Sequence, residues 1–394
     1  MTLTVTQKGR YRRIRGGMDN AVRQAEERGL HDMFIVDADC HLMEPFSVIA
    51  GKMEKRFRDI FFSPTMDQDP FFSSRIGVDE RKFKAYDPAM NIRYKNRRKR
   101  TELTYPKPQT AEELVDLFTS RMLDFGIKRS IVFPTKMLDI GMDPRADFEV
   151  ALTNAYADFM LENFLGRYPE ILSPVFVPAN SPDKAAELIE RVGAEKGIVG
   201  VMVTSMTRAL AGDDSWDPIY EAAEKKGLPF CMHCANFNSG ILGGFDSFLG
   251  VHTLARPISA AAQVTSMIVS GVPERFPRLK FAIIEGGLSW IPWLMQRLDS
   301  VYLMRREEAP LLKKLPSEYM KEFYYTSQPL EYASNEDLQY VFHKINAENH
   351  LLFASDYPHW DFDLPSVIYD LPFLSEDAKR KILGENARKL FKIS

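Results

Sequence analysis

Short apolar runs alternate with longer amphipathic stretches along most of the chain. The runs are of strand length and apolar on both faces, as expected of parallel strands that helices cover on both sides. They predict eight strands, at residues 33–41, 130–134, 172–177, 198–203, 229–233, 279–285, 322–326 and 351–356. The stretches between them predict helices at residues 111–125, 147–167, 182–192, 216–226, 258–269, 288–305 and 335–345. Eight strand–helix units in one chain predict a (β/α)8 TIM barrel rather than an open doubly wound sheet.

Two segments depart from this alternation. Residues 1–30 are polar and arginine-rich, with a short helix predicted at 19–27, and we expect an N-terminal arm that lies on the barrel or on a partner subunit. Residues 46–108 are irregular and rich in aromatic side chains, as in an insertion that forms a substrate lid or an oligomer contact. We therefore predict a single barrel over residues 1–394, in which residues 109–394 supply the remaining strands and the C-terminal helices.

Composition and charge exclude several classes of protein. A chain with 45% apolar and 27% charged residues is typical of a soluble globular protein. The net charge of -3 argues against nucleic-acid binding, so the basic run at 93–100 is interpreted as a solvated face. No apolar run has the length of a membrane span, and the N-terminus lacks the apolar core of a signal peptide. Three cysteines give no disulfide framework and indicate a cytoplasmic protein.

Acidic and imidazole side chains stand where the predicted strands end. The first strand ends in Asp37, Asp39 and His41, which alternation places on one face. Because active sites of such barrels lie at the carboxyl ends of the strands, residues far apart in sequence are expected to meet there. We predict a divalent metal site, for zinc, manganese or iron and for one ion or two. Its predicted ligands are Asp39, His41, His233, Glu285 and Asp356.

Further side chains are candidates for the substrate pocket. Four of them lie near the predicted strand ends and could contact a substrate, with packing or surface roles as the alternatives: His252, Arg256, Gln328 and His359. For Arg256 the hypothesis is a bidentate contact with a substrate carboxylate, and the alternative is a surface ion pair. Cys231 and Cys234 form a C-x-x-C pair, which we interpret as core or near-site cysteines rather than a zinc knuckle. No glycine-rich phosphate motif follows the first strand, which disfavours dinucleotide binding.

Four motifs carry a resemblance to a known family. They are DADCHLMEP at 37–45, LPFCMH at 228–233, EGGLSWIP at 285–292 and ASDYPHW at 354–360. With them the chain resembles the amidohydrolase superfamily, specifically the branch that contains aminocarboxymuconate semialdehyde decarboxylase and γ-resorcylate decarboxylase. The resemblance implies that Asp39 and His41 are the first-strand metal ligands and that His233 is the fifth-strand ligand. It implies that Asp356 is a ligand that also serves as a proton shuttle.

Two positions depart from the pattern of that branch. Asp39 stands where relatives carry a histidine or glutamate, and Glu285 stands where many decarboxylases carry a catalytic histidine. The resemblance implies a metal-dependent decarboxylase of a small aromatic or unsaturated carboxylic acid, commonly a homodimer or higher oligomer. The departure at Glu285 leaves open a hydrolase of amides, esters or thioesters, in which Glu285 and Asp356 serve a metal-activated water. A ligand-binding barrel without catalysis is the third alternative.

Overall fold

The computed structural model describes residues 17–42, 44, 46–61, 111–135, 137–138, 140–235, 248–332, 334–359 and 361–394. The described residues leave out the first half of the predicted N-terminal arm, most of the predicted insertion and the basic run. The division of the chain into arm, insertion and barrel therefore stays a prediction.

Eight parallel strands form one sheet in the order of the sequence. They are β1 Ile35–Leu42, β2 Ile127–Pro134, β3 Ile171–Phe176, β4 Ile198–Thr204, β5 Phe230–His233, β6 Phe281–Ile284, β7 Tyr324–Thr326 and β8 Leu351–Leu352. Backbone hydrogen bonds from Ala38 N to Phe353 O (2.9 Å) and from Asp356 N to Asp39 O (2.8 Å) join β1 to the segment after β8. The predicted (β/α)8 TIM barrel is confirmed.

Helices connect and surround the strands. Their bounds are α1 Gly17–Glu27, α2 Phe46–Gly51, α3 Lys55–Phe61, α4 Ala111–Phe125, α5 Ala146–Asn163, α6 Pro182–Val192, α7 Asp217–Lys226, α8 Phe248–Val269, α9 Val272–Arg275, α10 Trp290–Met304, α11 Pro316–Met320, α12 Asn335–Lys344, α13 Ala347–His350, α14 Ser366–Tyr369, α15 Glu376–Arg380 and α16 Asn386–Phe391. Among the described residues, no helix combines the length and hydrophobicity that crossing a bilayer requires.

Helix α8 differs from its prediction in a way that matters for the site. The predicted helix begins at residue 258, directly after Pro257, because proline lacks the N–H that continues a helix. In the structure α8 begins at Phe248 and contains Pro257 in its interior. Val251, Ala255 and Ala260 are buried along it, so packing against the barrel outweighs the local preference of proline. His252 and Arg256, four residues apart, consequently lie on one face of a helix.

Both faces of the strands are covered, which explains their continuous apolar sequence. All eight residues of β1 are buried, as are all residues of β3, β5, β6, β7 and β8. The buried polar residues of these strands are concentrated in β1 and at the strand ends, where backbone alternation turns them inward. The carboxyl end of the barrel is therefore the polar end of an otherwise apolar core.

Candidate active site

Two histidine rings meet at the carboxyl end of the barrel. His41 comes from β1 and His233 from the end of β5, and their Nε2 atoms lie 3.3 Å apart. The Nδ1 atom of His41 lies 3.1 Å from the carbonyl oxygen of Pro134, and that of His233 lies 3.1 Å from the carbonyl oxygen of Cys234. Because a carbonyl only accepts, each Nδ1 carries a proton, and in the neutral ring that a metal requires each Nε2 presents a lone pair. Two imidazole nitrogens this close are stabilised by a cation between them, either a proton or a metal ion.

The carboxylate of Asp39 completes the first donor group. Its Oδ1 atom lies 3.5 Å from Nε2 of both histidines. Neither carboxylate oxygen has a hydrogen-bond partner among the residues that the structure describes, although the side chain is fully buried. Burying an unpaired carboxylate is unfavourable in free energy unless a metal or a counter-charge compensates it. Asp39, His41 and His233 together form a buried set of donors with the spacing that a metal ion requires.

Asp356 follows β8 and faces the same histidines. Its Oδ1 atom lies 3.2 Å from Nε2 of His41 and 2.5 Å from Nδ1 of His359. The Oδ2 atom has no hydrogen-bond partner within the described part of the chain. Asp356 has φ 56°, a left-handed conformation that few residues other than glycine adopt. A second candidate metal group, formed by His41, Asp356 and His359, shares His41 with the first.

Glu285 lies directly after β6 and bridges the histidines to an arginine. Its Oε2 atom lies 3.6 Å from Nε2 of His233, and its Oε1 atom accepts a hydrogen bond of 2.7 Å from Nη2 of Arg256. Glu285 also has a left-handed backbone, with φ 56°, and its backbone N–H donates to Oγ1 of Thr326 at 2.8 Å. Thr326 thus fixes the direction of Glu285, a role that the sequence did not indicate.

The pKa values of Glu285, after β6, and Asp356, after β8, are shifted in opposite directions. Burial raises the pKa of Glu285 well above its usual range, although Arg256 opposes that shift. Burial would also raise the pKa of Asp356, but the imidazoles of His359 and His41 outweigh it and hold that pKa well below its usual range. Burial, reinforced by the neighbouring His41, lowers the pKa of His233 well below its ordinary value, as a neutral metal-binding imidazole requires. Such divergence marks candidate acid and base roles.

The sequence profile of the amidohydrolase family matches residues 36–393, nearly the whole barrel. The chain belongs to the amidohydrolase family. This confirms the resemblance inferred from the four motifs.

Curated and structural relatives lie within the same superfamily. Gamma-resorcylate decarboxylase of Rhizobium sp. (strain MTP-10005) is 25% identical over 248 residues, which cover 60% of this amidohydrolase and 74% of the relative. The structure of 5-carboxyvanillate decarboxylase from Sphingomonas paucimobilis has a TM-score of 0.67 at 21% identity, covering 92% of this chain and 100% of the other. Dihydroxybenzoic acid decarboxylase from Polaromonas sp. JS666, solved with bound manganese and 2-nitroresorcinol, has a TM-score of 0.64 at 19% identity, covering 91% and 97%. The two structural likenesses show the fold.

The predicted metal ligands of this amidohydrolase are brought together. The structure places the side chains of Asp39, His41, His233, Asp356 and Glu285 in one buried group, in which each lies within 3.6 Å of at least one other. Their assignment as ligands remains a prediction.

The four substrate candidates lie around that group. Arg256 is only 6% exposed and pairs with the buried Glu285, so the alternative of a surface ion pair is wrong. His359 is buried and bonded to Asp356, and its ring lies against His41 with centroids 4.2 Å apart. Gln328 donates from Nε2 to the carbonyl oxygen of Asp361 at 3.3 Å. Nε2 of His252 lies 3.7 Å from Oδ2 of Asp361.

Asp361 was missed by sequence reasoning. It belongs to the acidic run DFD at 361–363, shortly after the strand-eight motif, and that run is the signal that could have found it. Burial raises the pKa of Asp361 to about 7, and the charge of Asp356 adds to the effect. Asp361 connects Gln328 and His252, so it belongs to the wall of the site.

Asp37 and the cysteines lie outside the donor group. The carboxylate of Asp37 accepts from Ser355 N (2.8 Å) and Ser355 Oγ (2.5 Å), so it joins β1 to the segment after β8. Alternation predicts Asp37 on one face with Asp39 and His41, and in the structure Ser355 rather than a histidine holds its carboxylate. All three cysteines are buried and free, as core cysteines are.

Replacing Asp37 with asparagine is expected to lower the free energy of unfolding by about 1–3 kcal/mol. The amide group presents a donor to one of the two Ser355 donors, at a position closed to water. Urea unfolding followed by circular dichroism measures the loss. Ser355→Ala removes the hydroxyl donor and leaves the backbone donor in place, so its loss should be smaller. Equal stability of Asp37→Asn and the parent would contradict the structural role of Asp37.

Proposed function

We propose that this amidohydrolase is a metal-dependent decarboxylase of a small aromatic or unsaturated carboxylic acid. The observation that carries the proposal is the pair of histidine Nε2 atoms, 3.3 Å apart, beside the carboxylate of Asp39, which has no hydrogen-bond partner among the described residues. This group lies at the carboxyl end of a barrel, where such enzymes hold their active sites. Curated relatives that carry the name gamma-resorcylate decarboxylase support carbon–carbon bond cleavage over other reactions of the family.

We assign the metal to Asp39, His41, His233 and Asp356, with Glu285 as a further donor if a second ion binds. Nitrogen and carboxylate donors suit manganese, zinc or iron, and manganese is the first to test because a structural relative was solved with it. When bound, the ion polarises a carboxylate or phenolate oxygen of the substrate. His359 donates from Nδ1 to Oδ1 of Asp356 and keeps that carboxylate oriented.

The opposed pKa shifts of the two carboxylates suggest their roles. Asp356 has a lowered pKa and is therefore ionised as a metal ligand in the resting enzyme. It carries a proton only briefly during the reaction. Glu285, with a pKa raised by burial, is the proton donor. Its O–H bond breaks as a C–H bond forms at the ring carbon that carries the carboxylate. The C–C bond to that carboxylate then breaks, its electron pair returns to the ring, carbon dioxide leaves, and Glu285 regains a proton from solvent.

The substrate is held by the side chains that surround the donor group. Arg256 offers charge to a carboxylate, Gln328 and His252 offer polar contacts, and His359 closes the pocket beside Asp356. We further propose a cytoplasmic homodimer or higher homo-oligomer that binds neither nucleic acid nor membrane. The three buried free thiols fit a reducing compartment.

The proposal is tested with the full chain, stripped of metal by chelation and reloaded with manganese, zinc or iron. We expect carbon dioxide release from 2-hydroxybenzoic acids by the reloaded protein and none by the stripped protein. The metal should also raise the thermal unfolding midpoint, because an ion that binds only the folded state stabilises it. A panel of esters, amides and thioesters is assayed in parallel. If the protein hydrolyses an ester, amide or thioester and releases carbon dioxide from none of the acids, it is a hydrolase and the proposed decarboxylase function is wrong.

A further inference from the structure

A cavity of about 720 Å³ lies at the amino end of the barrel, opposite the candidate active site. Among its lining residues, Pro229 directly precedes β5, Lys280 directly precedes β6, and Tyr324 is the first residue of β7. His233 and Glu285 lie at the carboxyl ends of two of these strands, and the cavity shares no residue with the donor group. Because barrel enzymes hold their active sites at the carboxyl end, a ligand at the amino end is bound without being converted.

Positive charge is concentrated around this cavity, although the whole chain has a net charge of -3. Glu224 is bonded to Arg278 at 2.8 Å and balances that one cation. Lys280 and Lys389 form no hydrogen bond or ion pair with a described residue, and Lys392 donates only to the carbonyl oxygen of Gly227. Six cationic side chains and one acidic side chain line the cavity in the described part of the chain: Lys225, Lys226, Arg278, Lys280, Lys389 and Lys392, with Glu224.

The ends of two helices explain part of this charge. Lys225 and Lys226 lie in the last turn of α7, and Lys389 lies in the last turn of α16. Cations there stabilise the partial negative charge at a helix carboxyl end, which is about half an elementary charge for each helix. Two helix ends therefore do not balance the six cations, and Lys280 belongs to neither helix. The cavity keeps an excess of positive charge for an anionic ligand.

Tyr324 adds a polar group to the wall of the cavity. The residue is only 4% exposed, and its hydroxyl has no hydrogen-bond partner among the described residues. Its ring packs edge-on against His350, with centroids 4.9 Å apart. Burial lowers the pKa of His350, and the charges of Lys389 and Lys280 lower it further, so these two ammonium groups act on the same wall. The hydroxyl can donate to an oxygen of the anion that the lysines attract.

A second cavity of about 390 Å³ adjoins the first, and its walls are largely apolar. The two cavities share residues 226–229, Leu390 and Lys392. Leu172, Val199 and Phe391 are among the apolar residues that line only the second one. A ligand that occupies both cavities therefore has an anionic part and an apolar part.

We propose that the amino end of the barrel binds a nucleotide, with its phosphate chain beside Lys280, Lys389 and Lys392 and its ring system in the adjoining apolar cavity. A single carboxylate would leave most of these cations unbalanced, whereas a phosphate chain carries several negative charges in a small volume. Lysine ammonium groups bind phosphate as point charges. Both cavities have volumes within the range of about 300–1,000 Å³ that small-molecule sites have.

The test measures binding of ATP, inorganic triphosphate and adenosine to the full manganese-loaded chain by calorimetry. We expect one ATP per chain, with triphosphate binding about tenfold more weakly because it leaves the apolar cavity empty. Lys280→Gln combined with Lys389→Gln should weaken ATP binding about tenfold or more, since two charges beside the phosphates are lost. Neither lysine has an ion-pair partner among the described residues, so this variant should fold.

The matched control combines Lys184→Gln with Lys379→Gln and removes two positive charges outside both cavities. Its ATP affinity should stay within about twofold of the parent. Withdrawal of manganese by the phosphates releases the same heat in every variant, so only a difference between variants reports on the cavity. Added salt should weaken ATP binding to the parent more than to the Lys280→Gln and Lys389→Gln variant.

Equal ATP affinity of the parent and of the variant that lacks Lys280 and Lys389 would overturn the proposal. Equal affinity of the parent for ATP and triphosphate would overturn it too, because the apolar cavity would then be unused. Binding is measured without a substrate acid, so failure of the proposed decarboxylase function would leave this result unchanged.

Discussion

Replacing Asp356 with asparagine is expected to lower kcat for carbon dioxide release by about 10²- to 10⁴-fold while the protein stays folded. The Oδ1 atom of Asp356 receives the contacts of both His41 and His359, and Oδ2 has no hydrogen-bond partner within the described part of the chain. Asparagine keeps the shape but loses the charge, and it presents an N–H group to one of these positions. We expect metal content to fall as well, because a charged ligand is replaced by a neutral one. Steady-state kinetics and elemental analysis of the purified variant measure the two effects.

Asp143→Asn is the matched control for this variant. Asp143 is also buried, and its carboxylate is bonded to Arg145 rather than to the histidines. The same chemical change there should leave kcat and metal content within about twofold of the parent, because the carboxylate that is altered bonds Arg145 and not the histidines. Full metal content together with full turnover in Asp356→Asn would remove Asp356 from the proposed chemistry.

The donor group could be predicted because its signals are local. Strand alternation and barrel closure are general properties of the fold, so acidic and imidazole residues that end separate strands are bound to meet. His41 at the end of β1 and His233 at the end of β5 are 192 positions apart in sequence, yet their Nε2 atoms lie 3.3 Å apart. The apolar sequence of the strands indicates that both of their faces are buried. Alternation along each strand then predicts which polar residues at its end point into the barrel.

The surroundings of the donor group could not be predicted, because tertiary contacts decide them. Arg256 had two interpretations in sequence, and only the packing of α8 turns it inward to Glu285. The start of α8 was placed after Pro257, since local rules cannot weigh the buried face that carries the helix past that residue. Asp37 stands beside Asp39 and His41 in sequence, but two donors from Ser355 hold its carboxylate and give it a structural role.

The backbone conformation of the site could not be predicted from its residue types. Glu285 and Asp356 both adopt φ 56°, a region that costs about 1–3 kcal/mol for residues other than glycine. Glu285 comes directly after β6 and Asp356 four residues after β8, and both aim a carboxylate at the histidines. The hydrogen bonds of Glu285 N to Thr326 and of Asp356 N to Asp39 O hold these conformations. Strained backbone at two carboxylates at the carboxyl end of the barrel is typical of an active site, where residues are held for catalysis at a cost in stability.

Replacing Glu285 with glutamine is expected to lower carbon dioxide release by about 10²- to 10⁴-fold with little loss of stability. Glutamine retains an oxygen for the hydrogen bond from Nη2 of Arg256, so the arginine keeps a partner, but it has no acidic proton to donate to the ring carbon. Glu285→Ala should lose the same activity and in addition about 1–3 kcal/mol of unfolding free energy, because Nη2 of Arg256 is then left buried without a hydrogen-bond acceptor. Single-turnover carbon dioxide release and urea unfolding separate the two variants.

Glu149→Gln makes the same change at a buried glutamate that lies outside the donor group. Its carboxylate accepts from Nδ2 of Asn180 at 3.0 Å, and burial raises its pKa to about 7. Glu149 thus shares burial and a raised pKa with Glu285, but its carboxylate is bonded to Asn180 rather than placed beside a histidine of the donor group, so its replacement should leave carbon dioxide release unchanged. If Glu285→Gln were as active as Glu149→Gln, Glu285 would not be the proton donor. Its remaining function would be to bind Arg256. The same result would point to Asp356 as the group that delivers the proton.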